Sequence, residues 1–135
     1  MSGRLEFTTE NTLESIARAS CFVQRFAEQA GLSERKSYQL SLVYEELLTN
    51  VVKYAFRDGK THSIKVILED EDDRLTFTLM NDGVEFDPWE QPGPDLHRPL
   101  EERSEGGLGL YLVRNFSKSV HYVRRDGWNI LTVVI

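Results

Sequence analysis

Three short stretches of this sequence carry residue types that could do chemistry. Glu46 and Asn50 stand four positions apart in Tyr44-Glu45-Glu46-Leu47-Leu48-Thr49-Asn50. On a helix that spacing puts both on one face, where the carboxylate could take a proton and the amide oxygen could bind a hard cation. Gly106-Gly107-Leu108-Gly109 runs directly into a helical pattern. Glycines let backbone N–H groups close on a ligand, and the first turn of a helix adds unpaired donors and the positive end of its dipole. That combination suits phosphate, although no Gly-Lys-Ser/Thr follows as in a Walker loop and the Rossmann glycine spacing is incomplete. In Asn81-Asp82-Gly83 a side-chain oxygen could accept a hydrogen bond from a base amino group, and Gly83 would let a ring lie against the backbone. Each stretch alone also has an ordinary reading: the polar border of a surface helix, a tight turn, and Asn-Asp-Gly turn chemistry.

Regular elements must hold these stretches in place. At about 100° per residue, Val43, Tyr44, Leu47, Leu48, Val51 and Ala55 fall in one apolar arc with Glu46 and Asn50 on its border, while Glu45 and Thr49 point away. Ser33 caps this helix, which is expected over Lys36 to Phe56 and is followed by a turn at Arg57-Asp58-Gly59-Lys60. Before it, Arg4 to Thr9 reads as an edge strand. Asn11 or Thr12 caps a first helix whose expected inner face is Leu13, Ile16, Ala17, Ser20, Val23, Phe26 and Ala27, ending before Gly31. Strands are expected over Ser63 to Glu69 and Arg74 to Met80, joined by the acidic turn Asp70 to Asp73. All four prolines fall between Asn81 and Glu105, where regular pattern disappears; a loop this long in a small domain is usually functional or disordered. A third helix is expected over Leu110 to Ser117, then strands over Val120 to Arg124 and Asn129 to Ile135 around the hairpin signal Asp126-Gly127. The order β-α-α-β-β-loop-α-β-β implies an α+β fold, a two-layer sandwich in which a mixed, mostly antiparallel sheet is covered on one face by helices.

Composition narrows the partners. At 135 residues a single domain with a real core is expected. The net charge of −6 and the lack of a Lys/Arg cluster argue against nucleic acid. Cys21 is the only cysteine, so neither a disulfide framework nor a cysteine metal site is available, and its neighbours suggest a small buried side chain. His62, His97 and His121 lack metal-ligand spacing and read as structural or exposed. No apolar run approaches membrane-spanning length and the N-terminus has no signal-peptide core, so a cytoplasmic protein is expected.

The ordered set is more specific than its parts. Glu45-Glu46-Leu47-Leu48-Thr49-Asn50, then Asp82-Gly83-Val84-Glu85-Phe86-Asp87-Pro88, then Pro94-Asp95-Leu96 and the run Pro99 to Arg114 through Gly106-Gly107-Leu108-Gly109, resembles the GHKL (Bergerat-type) ATPase superfamily. More narrowly, it is similar to the bacterial anti-sigma factor serine/threonine kinases and their short single-domain relatives, over nearly the whole chain. The resemblance implies ATP and Mg²⁺ as cofactors. It makes Glu46 the general base and Asn50 the magnesium ligand, and it puts Lys53 and Phe86 at the nucleotide. It has Asn81, Asp82 and Gly83 read the base. Gly106, Gly107 and Gly109 then contact phosphate with backbone help from Leu108 and Leu110, under an ATP lid of about residues 88–106. Arg103 in that lid is expected to be solvated. Two positions depart from the family pattern: Asn81 stands where the family usually has Asp, and Tyr54 where it often has His. Tyr54 lies on the apolar arc and is expected to pack.

The resemblance implies an ATP-dependent protein kinase that phosphorylates a STAS-type anti-sigma factor antagonist and sequesters a sigma factor by partner switching. A homodimer through the N-terminal strand and helix is a further family expectation. The alternative is a non-catalytic nucleotide-binding or protein-binding module that sequesters or activates a partner, such as a phosphatase-linked signalling protein. Glu46 and Asn50 favour the enzyme, and Asn81 favours the module. No phospho-acceptor helix pair precedes the domain in this sequence, which places the catalytic domain of a sensor histidine kinase last.

Overall fold

Apolar residues that alternate along five strands and recur every three or four positions along three helices fold into two layers. The computed structural model describes residues 3–90 and 107–135. The chain runs β1 (Gly3–Glu10), α1 (Leu13–Gln29), α2 (Glu34–Tyr54), β2 (Ser63–Glu71), β3 (Arg74–Asn81), a short 3₁₀ turn at Pro88–Glu90, α3 (Gly107–Phe116), β4 (Ser119–Arg125) and β5 (Trp128–Val134). The strand order is β1-β2-β3-β5-β4 and every pairing among the described residues is antiparallel, so they show none of the parallel component expected of a mixed sheet. Both close hairpins turn on two residues. Asp72 and Asp73, and Asp126 and Gly127, all have positive φ, as a tight turn matched to strand twist requires.

The registers line up one continuous apolar face. Phe7, Val66, Leu79, Leu131 and Tyr122 form one row across the five strands, and Leu5, Leu68, Phe77, Val133 and Val120 the next. The three central residues of each row are fully buried against the helices. Each such side chain contributes roughly 1.5–3 kcal/mol relative to exposure. Past the Leu79–Leu131 row the same face turns polar: Asn81 pairs with Asn129, and Asn129 with Arg124. The site lies at this end of the sheet.

The helices begin and end where local chemistry dictates. Thr12 accepts from the Ser15 amide at 3.1 Å to open α1, and Ser33 accepts from the Lys36 amide at 3.2 Å to open α2. α1 closes with a Schellman pair, Gly31 N–H to Glu28 C=O at 3.1 Å and Leu32 N–H to Ala27 C=O at 3.0 Å, with Gly31 at φ +66°. The inner face of α1 is Ile16, Ala19, Val23, Phe26 and Ala27. Leu13 and Ala17 are exposed, because the helix is rotated slightly from the expected arc so that Ala19 faces inward. Cys21 lies on the opposite side and is exposed, contrary to expectation. α2 buries Val43, Tyr44, Leu47, Leu48, Val51 and Ala55 of the expected arc, and Tyr44 Oη donates to the Ile16 carbonyl at 2.6 Å, tying α2 to α1. Tyr54, expected to pack inward, is exposed at the last turn of α2 and lies against Phe86, with ring centroids 5.4 Å apart.

Candidate functional site

α2 supplies the first half of the site. The buried arc leaves Glu46 half-buried and Asn50 buried on its border, with Lys53 exposed one turn further on. Asn50 Nδ2 donates to the Glu46 backbone carbonyl at 2.7 Å, which leaves Oδ1 as the amide atom suited to a hard cation. Burial pushes the Glu46 carboxyl above the ordinary carboxylate range; the neighbouring Glu45 charge adds to the rise and Lys53 opposes it. A carboxylate raised in this way is a stronger base.

The first turn of α3 closes over Glu46. A Cβ built on Gly109 would overlap the Glu46 carboxyl, so α3 and α2 approach this closely only because position 109 is glycine. The helix was expected to begin at Leu110, after the glycines. It begins at Gly107, which places Gly107, Leu108 and Gly109 within its first turn, where unpaired N–H groups favour an anion. Leu110 is buried in the core, so only its backbone is available to a ligand, whereas Leu108 is partly exposed.

The end of β3 supplies the second half. Asn81 is fully buried, and its Oδ1 accepts from the Gly83 amide at 3.0 Å and from Asn129 Nδ2 at 3.0 Å. Asn129 also donates to the Val84 carbonyl at 2.8 Å, while its Oδ1 accepts from Tyr122 Oη at 2.6 Å and from the Phe86 amide at 3.3 Å. Burial raises the Tyr122 hydroxyl, which keeps it a donor. Among the described residues Asn81 Nδ2 finds no partner. Asp82 turns the other way. Its carboxylate meets His62 Nδ1 at 3.2 Å, and His62 Nε2 meets Asp58 at 2.7 Å, so the imidazole bridges two acids and its pKa is raised, chiefly by Asp58.

One backbone hydrogen bond joins the halves, and an arginine braces the loop after β3 within the second half. The Val84 amide donates to the Ala55 carbonyl at 2.7 Å, capping α2, and Arg124 Nη1 donates to the Gly83 carbonyl at 2.7 Å. A Cβ on Gly83 would strike the Ala55 backbone. The demand for glycine at 83 therefore comes from helix α2, a reason that its place in the Asn-Asp-Gly turn did not suggest. At 1.5 Å per residue, Asn50 and Glu46 lie roughly 7 and 13 Å along α2 from this junction.

The structure thus packs the Glu46 carboxyl against Gly109 in the first turn of α3, one helical turn from Asn50, and joins Asn81, Gly83 and Phe86 to the far end of the same helix. It directs Asp82 toward His62 and leaves Lys53 at the surface. Gly106, Arg103, His97 and the expected lid beyond Glu90 lie outside the described residues. Asn129, Tyr122 and Arg124 escaped the sequence reading, because only the β3–β5 and β5–β4 registers bring them beside Asn81. Among the described residues no cluster of three His, Cys, Asp or Glu side chains could hold a metal. Magnesium bound to phosphate needs only one or two protein oxygens, and the chemistry of Asn50 Oδ1, left unused by the bond to Glu46, suits that role.

Comparison with known proteins follows the same outline. Residues 9–135 match the histidine kinase-like ATPase domain. The chain is 32% identical over 122 residues to the serine/threonine-protein kinase BtrW of Bordetella bronchiseptica, covering 90% of this chain and 86% of that protein. It is 24% identical over 132 residues to the serine-protein kinase RsbW of Bacillus cereus, covering 95% and 82%. A solved structure of the RsbU and RsbW domains of a Mycobacterium tuberculosis protein superposes with a TM-score of 0.66 at 10% identity. That match covers 98% of this chain and 32% of the longer one, and it bears on the fold alone. With a match that runs from the end of the first strand to the last residue, this chain belongs to the histidine kinase-like ATPase domain family.

Proposed function

We propose that this protein is a serine/threonine protein kinase that transfers the terminal phosphoryl group of a magnesium-bound purine nucleoside triphosphate, ATP by family precedent. Its acceptor is a serine on a STAS-type anti-sigma factor antagonist. The observation that carries the reading is the Glu46 carboxyl, raised by burial and packed against the first turn of α3 one helical turn from Asn50. Phosphoryl transfer asks mainly for positioning and charge stabilisation, with a base near the acceptor hydroxyl. Asn50 Oδ1 would hold the magnesium, which neutralises phosphate charge when bound. The amides of α3's first turn would orient phosphate oxygens, and Glu46 would take the serine hydroxyl proton on its carboxylate oxygen. The ends of β3 and α2 would seat the base near Asn81. Sequestration of a sigma factor, exchanged for the antagonist by partner switching, belongs to the same proposal and rests on the family resemblance of the motifs; the relatives named as serine or serine/threonine-protein kinases support the phosphoryl transfer. Among the described residues no helix is long and apolar enough to cross a membrane.

The test is phosphoryl transfer to a recombinant STAS-domain protein with Glu46→Gln as the control. The variant should bind nucleotide almost as tightly while transfer falls by about 10²-fold or more. Transfer unchanged in the variant removes Glu46 from its role. A second reading, the non-catalytic module, draws on Asn81 in place of the family's Asp; it predicts partner binding by both proteins and transfer by neither.

A further inference from the structure

We propose that His62, held as an imidazolium between Asp58 and Asp82, is a positioning residue for the base end of the proposed nucleotide site. Its charge and the affinity for nucleotide are therefore coupled. The role presupposes that site and adds a residue beside it that sets its shape.

His62 sits where three segments meet. Its amide donates to Asn11 Oδ1 at 2.8 Å and its carbonyl accepts from the Asn11 amide at 3.0 Å, which pins its backbone to the junction of β1 and α1. The ring stacks on Phe56, with centroids 4.8 Å apart and planes 26° from parallel. Phe56 packs in turn against the core just past the end of α2. On this platform Nε2 meets Asp58 Oδ2 at 2.7 Å and Nδ1 meets Asp82 Oδ1 at 3.2 Å. Turning the ring over would present carbon atoms to both acids, so the nitrogens belong where they stand.

The two acids decide the charge on the ring. A neutral imidazole donates from one nitrogen and carries a lone pair on the other, which would face a carboxylate. Only the imidazolium donates to both. Among the described residues no other acid lies within ion-pair distance of the ring. Arg57 and Arg124 line the same shallow pocket, and Arg124 is committed to the Gly83 carbonyl. The hydrogen bond to Asp58 is the chief cause that raises the His62 pKa; burial opposes it and Asp82 adds to it. By that sign the bridge is complete below the ordinary histidine value and is lost as pH rises through the raised one. Asp58, lowered first by the Lys60 amide and then by His62, stays ionised across that window.

The bridge acts through what its two acids are joined to. Asp82 lies between Asn81, bonded to Asn129 in the buried frame, and Gly83, packed on the Ala55 backbone. Asp58 lies just past Ala55 on the connection that leaves α2. The imidazolium thus ties together the same two segments that the Val84–Ala55 hydrogen bond joins directly. A nucleotide whose base rests on both segments binds best when their spacing is fixed. Loss of the charge sets a lone pair against one acid and loosens that spacing.

Linkage supplies the test. If protonated His62 favours nucleotide, bound nucleotide must raise the His62 pKa by the same factor. For a bridge between partly exposed groups that factor is about threefold, or roughly half a pH unit. The experiment follows the histidine ring C–H resonances by NMR over about pH 5 to 9, with and without saturating Mg-ATP. His62→Gln identifies the His62 signal by its loss. His62 should titrate above the ordinary histidine value in the free protein and higher still in the complex. Over the same rise in pH the calorimetric Kd for Mg-ATP should weaken about threefold more in wild type than in His62→Gln, a ratio in which titration of the nucleotide itself cancels. Asp82→Asn lets a neutral ring satisfy both partners and should abolish the coupling; coupling that persists in this variant, folded, overturns the bridge. A His62 pKa unmoved by bound nucleotide overturns the inference and leaves the nucleotide site standing. No binding at millimolar concentration overturns the nucleotide reading and the inference with it. Should His62→Gln not fold, His97→Gln and His121→Gln assign the signal by elimination, and the wild-type titration decides.

Discussion

Replacing Gly109 with alanine should separate the activity of this protein from its stability. The new Cβ overlaps the Glu46 carboxyl, the free end of a flexible side chain that can swing aside. Overpacking of a rigid core costs about 1–3 kcal/mol, and a movable carboxyl reduces that figure. Against it stands up to about 1 kcal/mol gained when alanine replaces glycine in a helix. The two terms nearly cancel, leaving stability within about 1 kcal/mol, a shift of roughly 3–5 °C in Tm for a domain of this size. Catalysis does not share the cancellation. A base displaced by about 1 Å loses its line to the acceptor hydroxyl, at a cost of roughly 10²-fold in rate, or about 2.7 kcal/mol in activation free energy.

Gly83→Ala supplies the contrast. Its Cβ meets the Ala55 backbone, with the carbonyl carbon at 2.9 Å, and relief requires breaking the Val84–Ala55 hydrogen bond. That change should lower stability by about 2–4 kcal/mol. Thermal melting and single-turnover transfer on both variants are the assay. Equal destabilisation of the two would show that Glu46 cannot move aside. Transfer by Gly109→Ala within about threefold of wild type would show that the carboxyl held by this packing is not the base.

Three further outcomes follow from the geometry. Because the Glu46 pKa is raised in the folded protein, transfer should fall as pH drops through a value above the ordinary carboxylate range, and Glu46→Gln should erase that acid limb from the residual rate. The same sign means that the native state disfavours the ionised carboxyl, so Glu46→Gln should melt no lower than wild type at neutral pH. Tyr44→Phe removes the 2.6 Å bond to the Ile16 carbonyl between α2 and α1 and should lower stability by about 1 kcal/mol, read as a lower denaturation midpoint at constant m.

Local signals carried most of the architecture. Thr12, Ser33 and Gly31 bound their helices as their capping chemistry predicts, Asp126-Gly127 made its hairpin, and the arc from Val43 to Ala55 was buried as its periodicity required. What local pattern misjudged lay at element margins and between elements. The glycines before Leu110 looked like a turn, yet the first residues of a helix tolerate them, and Gly109 lets the Glu46 carboxyl sit against that first turn. Tyr54 sits on the apolar arc but on the last turn, beyond the edge of the core, so it lies against Phe86 and stays exposed. The frame around Asn81 was invisible because it is a property of strand register: nothing near Asn129 or Tyr122 in sequence marks them as its partners.

The strand order has a kinetic and thermodynamic consequence for this frame. The β2–β3 and β4–β5 ladders join neighbours in sequence, whereas β1–β2 closes around both long helices and β3–β5 closes around α3. Ladders of the second kind must meet loop-closure entropy before their contacts form, so they complete late. Asn81 and Asn129 belong to the β3–β5 ladder, so the hydrogen-bonded frame around Asn81 exists only once that long-range ladder has closed. A ligand that needs this frame would have no form lacking the ladder to bind, and its binding free energy, RT ln(1 + [L]/Kd), would add to the stability of the fold.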